Sequence, residues 1–130
     1  MNHSGSNELP SELRAFLYSC IDSVEQVEIL VLLCRESGPW TARATADRLG
    51  FADVLTRRHL ETLSACGLLQ ASVATEVLYA YSPKNAELRR YADQLSEHYA
   101  TARAAVMRFV ASNPRRLKRF SDAFKLRDPE

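Results

Sequence analysis

The chain has 130 residues, 46% of them hydrophobic and 25% charged, which is the composition of one globular domain and excludes a fibrous or largely disordered protein. The formal net charge is +1, but the charges are unevenly distributed: residues 1–83 contain six Lys/Arg and ten Asp/Glu, whereas residues 84–130 contain eleven Lys/Arg and six Asp/Glu. The basic C-terminal part can attract nucleic acid, an anionic membrane surface or an acidic protein, or it can merely balance the acidic N-terminal part. The longest apolar run, 29–34, is far shorter than the ~20 residues of a membrane span, so we predict no membrane span and a cytoplasmic protein.

The first ten residues, MNHSGSNELP, are small and polar, and they predict a disordered tail over 1–10. They also lack the basic start and apolar centre of a signal peptide. Pro10 and Ser11 suit the start of a helix, which we expect to extend to about Cys20. Its apolar face consists of Leu13, Phe16 and Leu17.

A helix over about 23–36 is expected to form the centre of the core. Either Asp22 with Glu25 or Ser23 with Gln26 supplies the paired side chains that begin it. Apolar residues then follow at helical spacing and on more than one side, which predicts extensive burial. They are Val24, Val27, Ile29, Leu30, Val31, Leu32, Leu33 and Cys34.

Two shorter helices are predicted next. Trp40 is expected in an extended connection, after which Thr41 can cap a helix that ends at Gly50. Another helix is expected over about 53–66, closed at Gly67. Three of its residues fall at positions i, i+4 and i+7: Thr56, Leu60 and Leu63.

The pattern then changes from helix to strand. Residues 68–73 and 77–81 are enriched in β-branched and aromatic side chains, and the three residues 74–76 separate them. This arrangement predicts a short hairpin of two strands.

A long helix is predicted over about 84–112, with Ser82 as its cap and Pro83 at its first position. Its apolar residues alternate in steps of four and three, the spacing that lets one helix lie along another: Leu88, Ala92, Leu95, Tyr99, Ala102, Val106 and Phe109. This seam either forms a homodimer interface or packs on the helix at 23–36. We favour the dimer, with contacts from Leu88, Leu95, Tyr99, Val106 and Phe109.

A final short helix is predicted over about 114–125. Basic residues surround its apolar face: Arg115, Arg116, Lys118, Arg119 and Lys125, around Leu117, Phe120 and Phe124. Such a helix can bind DNA phosphates, an anionic membrane or an acidic partner protein. Alternatively it only closes the dimer and leaves its basic face in water.

The order of these elements resembles a winged helix-turn-helix domain. Residues 40–50, WTARATADRLG, look like the first helix of a helix-turn-helix with its Leu-Gly turn. Residues 56–69, TRRHLETLSACGLL, look like the recognition helix and first wing strand of ArsR- and MarR-type transcriptional regulators. The resemblance covers about 22–82. It implies a mainly α fold with a two-stranded β-hairpin: a winged-helix domain over 11–83, then a C-terminal dimerisation region over 84–130.

The resemblance further implies a DNA-binding transcriptional regulator that acts as a homodimer. Its partners would be double-stranded DNA and a second copy of itself, with a protein partner for the basic C-terminal helix as a further expectation. The helix at 53–66 would enter the major groove, whose width admits one helix. The residues expected at the DNA are Thr56, Arg57, Arg58 and Arg43, because guanidinium groups offer paired donors to phosphate or guanine.

Several residues depart from the pattern of a DNA-binding wing. Residues 70–81 contain no Lys or Arg, Glu76 lies at the tip, and Asp53 and Val54 stand at the start of the recognition helix. Duplex binding depends heavily on Lys and Arg that neutralise phosphates. An alternative function therefore stays open: a winged-helix protein–protein interaction module without DNA readout. Thr45 replaces the usual apolar residue, and we expect its hydroxyl to bond back to a carbonyl.

No catalytic motif, metal-ligand spacing or cofactor motif is present, so we predict that the chain is not an enzyme. Three cysteines without Cys-x-x-Cys spacing predict free thiols in a reducing compartment, not a disulfide framework or zinc site. Cys34 is expected to be buried and inert, whereas Cys66, before the glycine turn, is the candidate redox sensor. His59 and His98 are isolated from other ligand types.

Overall fold

The computed structural model describes residues 9–112, so most of the predicted tail and the basic helix predicted over 114–125 lie outside it. The helices are α1 (Ser11–Cys20), α2 (Val24–Arg35), α3 (Ala42–Leu49), α4 (Asp53–Ala65), α5 (Ala86–Thr101) and α6 (Arg103–Ala111). Two antiparallel strands, β1 (Leu69–Val73) and β2 (Val77–Tyr81), form a hairpin between α4 and α5. The predicted fold class, mainly α with a two-stranded hairpin, is confirmed.

The helix α2 lies at the centre of the core, as predicted. Of the two predicted cap pairs the structure uses Ser23 with Gln26: the backbone N–H of Gln26 donates to Ser23 Oγ at 3.2 Å. The helices α3 to α6 and strand β2 all pack against α2. Each fully buried Leu or Ile stabilises the fold by about 1.5–3 kcal/mol relative to exposure. The residues that supply this burial are Val27, Ile29, Leu30, Val31, Leu32 and Leu33.

The helix α1 packs its apolar face into the same core. Leu13 and Leu17 are fully buried, and the Phe16 ring lies 5.6 Å from the Tyr91 ring of α5. Leu9, within the stretch predicted as a tail, is buried in the same cluster. The amphipathic pattern therefore begins two residues before the helix itself.

The long helix predicted over about 84–112 is two helices. α5 ends at Thr101, and Ala102 leaves helical geometry with φ −140° and ψ 49° before α6 begins. The break lets α6 pack against α1 and α2, where Val106 and Val110 are fully buried. Because neither glycine nor proline marks this position, we attribute the break to the burial of α6.

The start of α5 also differs from the prediction. Asn85, not Ser82, is its cap: the backbone N–H of Leu88 donates to Asn85 Oδ1 at 2.8 Å. Asparagine is among the preferred residues at this position because its side-chain oxygen satisfies a free backbone donor.

Much of the predicted dimer seam faces the core of its own chain. Leu95 and Val106 are fully buried, so neither is free to contact a second copy, and we correct their assignment as dimer contacts. The hydroxyl of Tyr99 donates to Glu28 Oε2 of α2 at 2.8 Å. This arrangement matches the alternative that the seam packs on α2. The other two predicted contacts are partly buried against the same core: Leu88 and Phe109.

Cys20 and Cys66 form a disulfide, so the prediction of three free thiols is wrong. Their Cα atoms lie 6.1 Å apart although 46 residues separate them in sequence. Pairing depends on this tertiary proximity, which sequence spacing does not reveal. The bond ties the end of α1 to the C-terminal cap of α4. Cys34 is free, and burial raises the pKa of its thiol to about 11, in keeping with the inert thiol predicted there.

Candidate nucleic-acid interface

The first helix of the helix-turn-helix, α3, is set by two threonines and a glycine. The backbone N–H of Ala44 donates to Thr41 Oγ1 at 3.0 Å, which caps the helix as predicted. Thr45 is fully buried, and its hydroxyl donates to the Thr41 carbonyl at 2.8 Å, which confirms the expected back-bond. Gly50 ends the helix with φ 76°, a conformation that favours glycine, and directs the chain into α4.

The inner face of α4 anchors it to α2. Leu60 and Leu63 are fully buried, and so is Thr56, whose hydroxyl donates to the Ala52 carbonyl at 2.9 Å. Thr56 cannot reach DNA, and its assignment as a DNA contact is wrong. Thr56 lies on the same face of α4 as Leu60 and Leu63, and that face is buried. The DNA-contact role was assigned to Thr56 from the family resemblance, but the helical spacing places it in the interior.

The outer face of α4 carries both predicted arginines. Arg57 and Arg58 are exposed, and since successive helical residues are about 100° apart they point to different sides of α4. The start of the face is apolar, with Val54 64% exposed and Leu55 51% exposed. The exposed residues of α4 are Asp53, Val54, Leu55, Arg57, Arg58, Glu61 and Ala65.

Two contacts fix the β-hairpin against the helix-turn-helix. Gly67 has φ 92°, which lets the chain turn from α4 into β1. Trp40, in its predicted extended connection, pairs with Tyr79 of β2 through two backbone hydrogen bonds of 2.8 Å. The hairpin therefore projects from the helix-turn-helix as a wing, with Val73 opposite Val77 near its tip.

The helices α3 and α4 and the wing enclose a groove of about 460 Å³, here called the wing groove. Its lining residues are Ala42, Arg43, Asp53, Arg57, Glu61, Glu76, Val77 and Tyr79. Two of the four predicted DNA contacts, Arg43 and Arg57, therefore share one surface. Two guanidinium groups face three carboxylates there, so the groove is weakly acidic.

Arg48, near the end of α3, is engaged away from the wing groove. Its guanidinium donates two hydrogen bonds to the carboxylate of Glu36 and lies 5.9 Å from the centre of the Trp40 ring. These bonds hold the pKa of Glu36 below its ordinary value. Arg48 thus supports the back of α3 and is not directed at the wing groove.

A second cavity of about 400 Å³, here called the side cavity, opens on the other side of α4. Its lining residues are Glu25, Gly50, Phe51, Ala52, Leu55 and His59. Gln26 Nε2 donates to His59 Nδ1 at 3.2 Å, and burial lowers the pKa of His59. Sequence reasoning missed this pair because its members are 33 residues apart.

Within residues 9–112, no three His, Cys, Asp or Glu side chains come together as metal ligands. No helix in that part of the chain combines the length and apolarity needed to cross a bilayer.

Two solved structures resemble this fold. One is the X-ray structure of a MarR-family transcriptional regulator from Rhodococcus sp. RHA1, with TM-score 0.53, 21% identity, and coverage of 87% of this chain and 80% of that one. The other is the crystal structure of RV1404 from Mycobacterium tuberculosis, with TM-score 0.51, 23% identity, and coverage of 92% and 86%. No protein-family model matches the sequence, and no curated protein matches it either. At these identities the likeness concerns the fold alone: the chain shares its winged-helix fold with the Rhodococcus structure.

Proposed function

We propose that the chain is a DNA-binding transcriptional regulator that acts as a homodimer and inserts α4 into the major groove. One observation carries the proposal: α4 exposes Arg57 and Arg58 while Leu60 and Leu63 hold its inner face against α2. A single helix presented in this way fits the major groove. The fold shared with a transcriptional regulator supports the same function.

Within this proposal the arginines differ in role. Arg43 and Arg57 line the wing groove and can bind a phosphate or a guanine edge with paired donors. Arg58 lies on the other side of α4 and would contact the opposite wall of the DNA groove. Asp53 and Glu61 lie beside Arg57, and their carboxylates offset part of the attraction of the groove for the phosphate backbone. We therefore expect weak binding to generic duplexes, with selectivity carried by base contacts.

The homodimer would place two copies of α4 on successive major grooves. Leu95 and Val106 take no part, because they lie in the core of one chain. The three predicted contacts that retain exposed surface are Leu88, Tyr99 and Phe109. Light scattering should report twice the chain mass of 14.6 kDa, and a mass of 14.6 kDa would exclude the dimer.

A second function, a protein-interaction module, is favoured by the surface of the wing. Val73 is 82% exposed and Val77 42% exposed, with Glu76 between them and no Lys or Arg in either strand. Exposed apolar residues beside acids suit a protein surface better than a phosphate backbone. The two functions predict different effects of a charge change at the wing on duplex binding.

Glu76→Lys is expected to raise affinity for a generic duplex several-fold at low ionic strength. The change replaces a repulsive carboxylate with a cation next to the arginines of the wing groove, and each added phosphate contact steepens the salt dependence. Fluorescence anisotropy of a labelled duplex over a range of salt concentrations measures both quantities. Glu97→Lys, an equal change of charge at an exposed site on α5, is the control. No binding by wild type or Glu76→Lys at low salt would favour the interaction module.

A further inference from the structure

A hydrogen-bonded relay joins the start of α2 to the middle of α4. Gln26 is buried, and the backbone N–H of Asp22 donates to its Oε1 at 3.0 Å. This bond fixes which end of the amide faces His59, so Nε2 donates to His59 Nδ1 at 3.2 Å. An amide nitrogen cannot accept a hydrogen bond. His59 Nδ1 must therefore be unprotonated, and the neutral imidazole carries its proton on Nε2.

A proton on Nδ1 would place two donors face to face. Gln26 cannot relieve the conflict by turning its amide over, because the buried N–H of Asp22 would then lose its acceptor. The charges that act on His59 are Glu25 and Asp22 at the start of α2 and Arg58 on its own helix. The two carboxylates favour protonation, while burial and Arg58 oppose it, and burial is the largest effect.

We propose that His59 is a proton-operated switch between α2 and the recognition helix α4. In the neutral state its Nδ1 accepts the Gln26 bond; in the protonated state the ring leaves Gln26 and pairs with Glu25. The side chains of His59 and Glu25 both line the side cavity of about 400 Å³, which gives the imidazole ring room to turn. Leu60 and Leu63 keep α4 packed on α2, so the switch shifts the polar edge of the helix without unfolding it. The inference does not depend on DNA binding.

The effect of pH on the stability of the fold follows from the direction in which the pKa of His59 is shifted. Because the pKa of His59 in the folded chain lies below the ordinary value of 6.5, the unfolded chain binds the proton more readily. The contribution of the Gln26 bond is complete above pH 6.5 and is lost as pH falls through the pKa of the folded state. Acidification therefore destabilises the α2–α4 joint.

Titration of the His59 imidazole by NMR in the full chain tests the switch. The resonance is assigned by its absence from His59→Gln, whose amide oxygen can still accept from Gln26. We expect a midpoint below 6.5 and the Nε2–H tautomer above that pH. Gln26→Glu should move the midpoint above 6.5, because a carboxylate can accept both the Asp22 N–H and a protonated Nδ1. A wild-type midpoint at or above 6.5, or an equal midpoint in Gln26→Glu, would overturn the proposal.

A second readout separates a switch from a merely structural bond. The backbone amide resonances of Asp53 and Val54, more than one helical turn from His59, should shift with the same midpoint as His59 in the wild type and should lose that component in His59→Gln. This comparison remains decisive if Gln26→Glu does not fold. If the amide resonances of α4 do not change over the titration of His59, protonation of His59 has no effect on the recognition helix. Neither result depends on whether the protein binds a duplex.

Discussion

Cys20→Ser is expected to lower the free energy of unfolding by about 4 kcal/mol under oxidising conditions. The disulfide to Cys66 closes a separation of 46 residues, and restricting an unfolded loop of that length stabilises the folded state by about this amount in the chain-entropy account. Urea unfolding followed by circular dichroism measures the difference.

Two controls accompany that measurement. Cys34→Ser removes a thiol that is outside the disulfide and should cost much less. Wild type treated with a reductant should match Cys20→Ser, since both break the same bond. If mass spectrometry of non-reduced protein finds three free thiols, or if reduction leaves stability unchanged, the covalent tie between α1 and α4 does not exist in solution.

Leu60→Ala is expected to cost about 2–5 kcal/mol, a large part of the stability of a small domain. The side chain is fully buried on the face of α4 that packs against α2, so truncation removes apolar contact and leaves a cavity. Thermal and urea unfolding give the change.

Leu55→Ala supplies the matched control on the same helix. Leu55 is 51% exposed, and we expect a loss within about 0.5 kcal/mol. Equal losses for the two variants would mean that α4 does not present one face inward and the other outward. That outcome would remove the geometric basis of the proposed function.

Elements bounded by local signals were predictable from the sequence. Thr41 and Gly50 bound α3, and Gly67 turns the chain into the wing, because caps and left-handed turns depend on single residues and their neighbours. The hairpin followed in the same way from a change of period at residue 68. Local chemistry alone determines these features.

Features that depend on tertiary contacts were not predictable. Part of the heptad seam of α5 and α6 packs into the core of its own chain, where Leu95 and Val106 are fully buried. The break at Ala102 and the pairing of Cys20 with Cys66 likewise arise from packing between distant segments. Periodicity shows that a face is buried but not what covers it.

The candidate site was predicted in part. Arg43 and Arg57 both line the wing groove, and their contact with DNA stays a prediction, whereas Thr56 is interior. The interior position follows from the i, i+4, i+7 stripe with Leu60 and Leu63, which the sequence already displays. The relay from Gln26 to His59 carried no sequence signal, since it joins two helices through side chains alone.

Salt-dependent binding of a generic duplex by Arg57→Ala/Arg58→Ala tests the central claim that α4 is the DNA-reading helix. The proposal predicts that the slope of log affinity against log salt flattens by roughly two units. Arg103→Ala/Arg108→Ala removes the same charge from α6, which packs against α1, α2 and α5, and should leave the slope close to that of the wild type. Equal slopes for both double variants would contradict a DNA-reading role for α4.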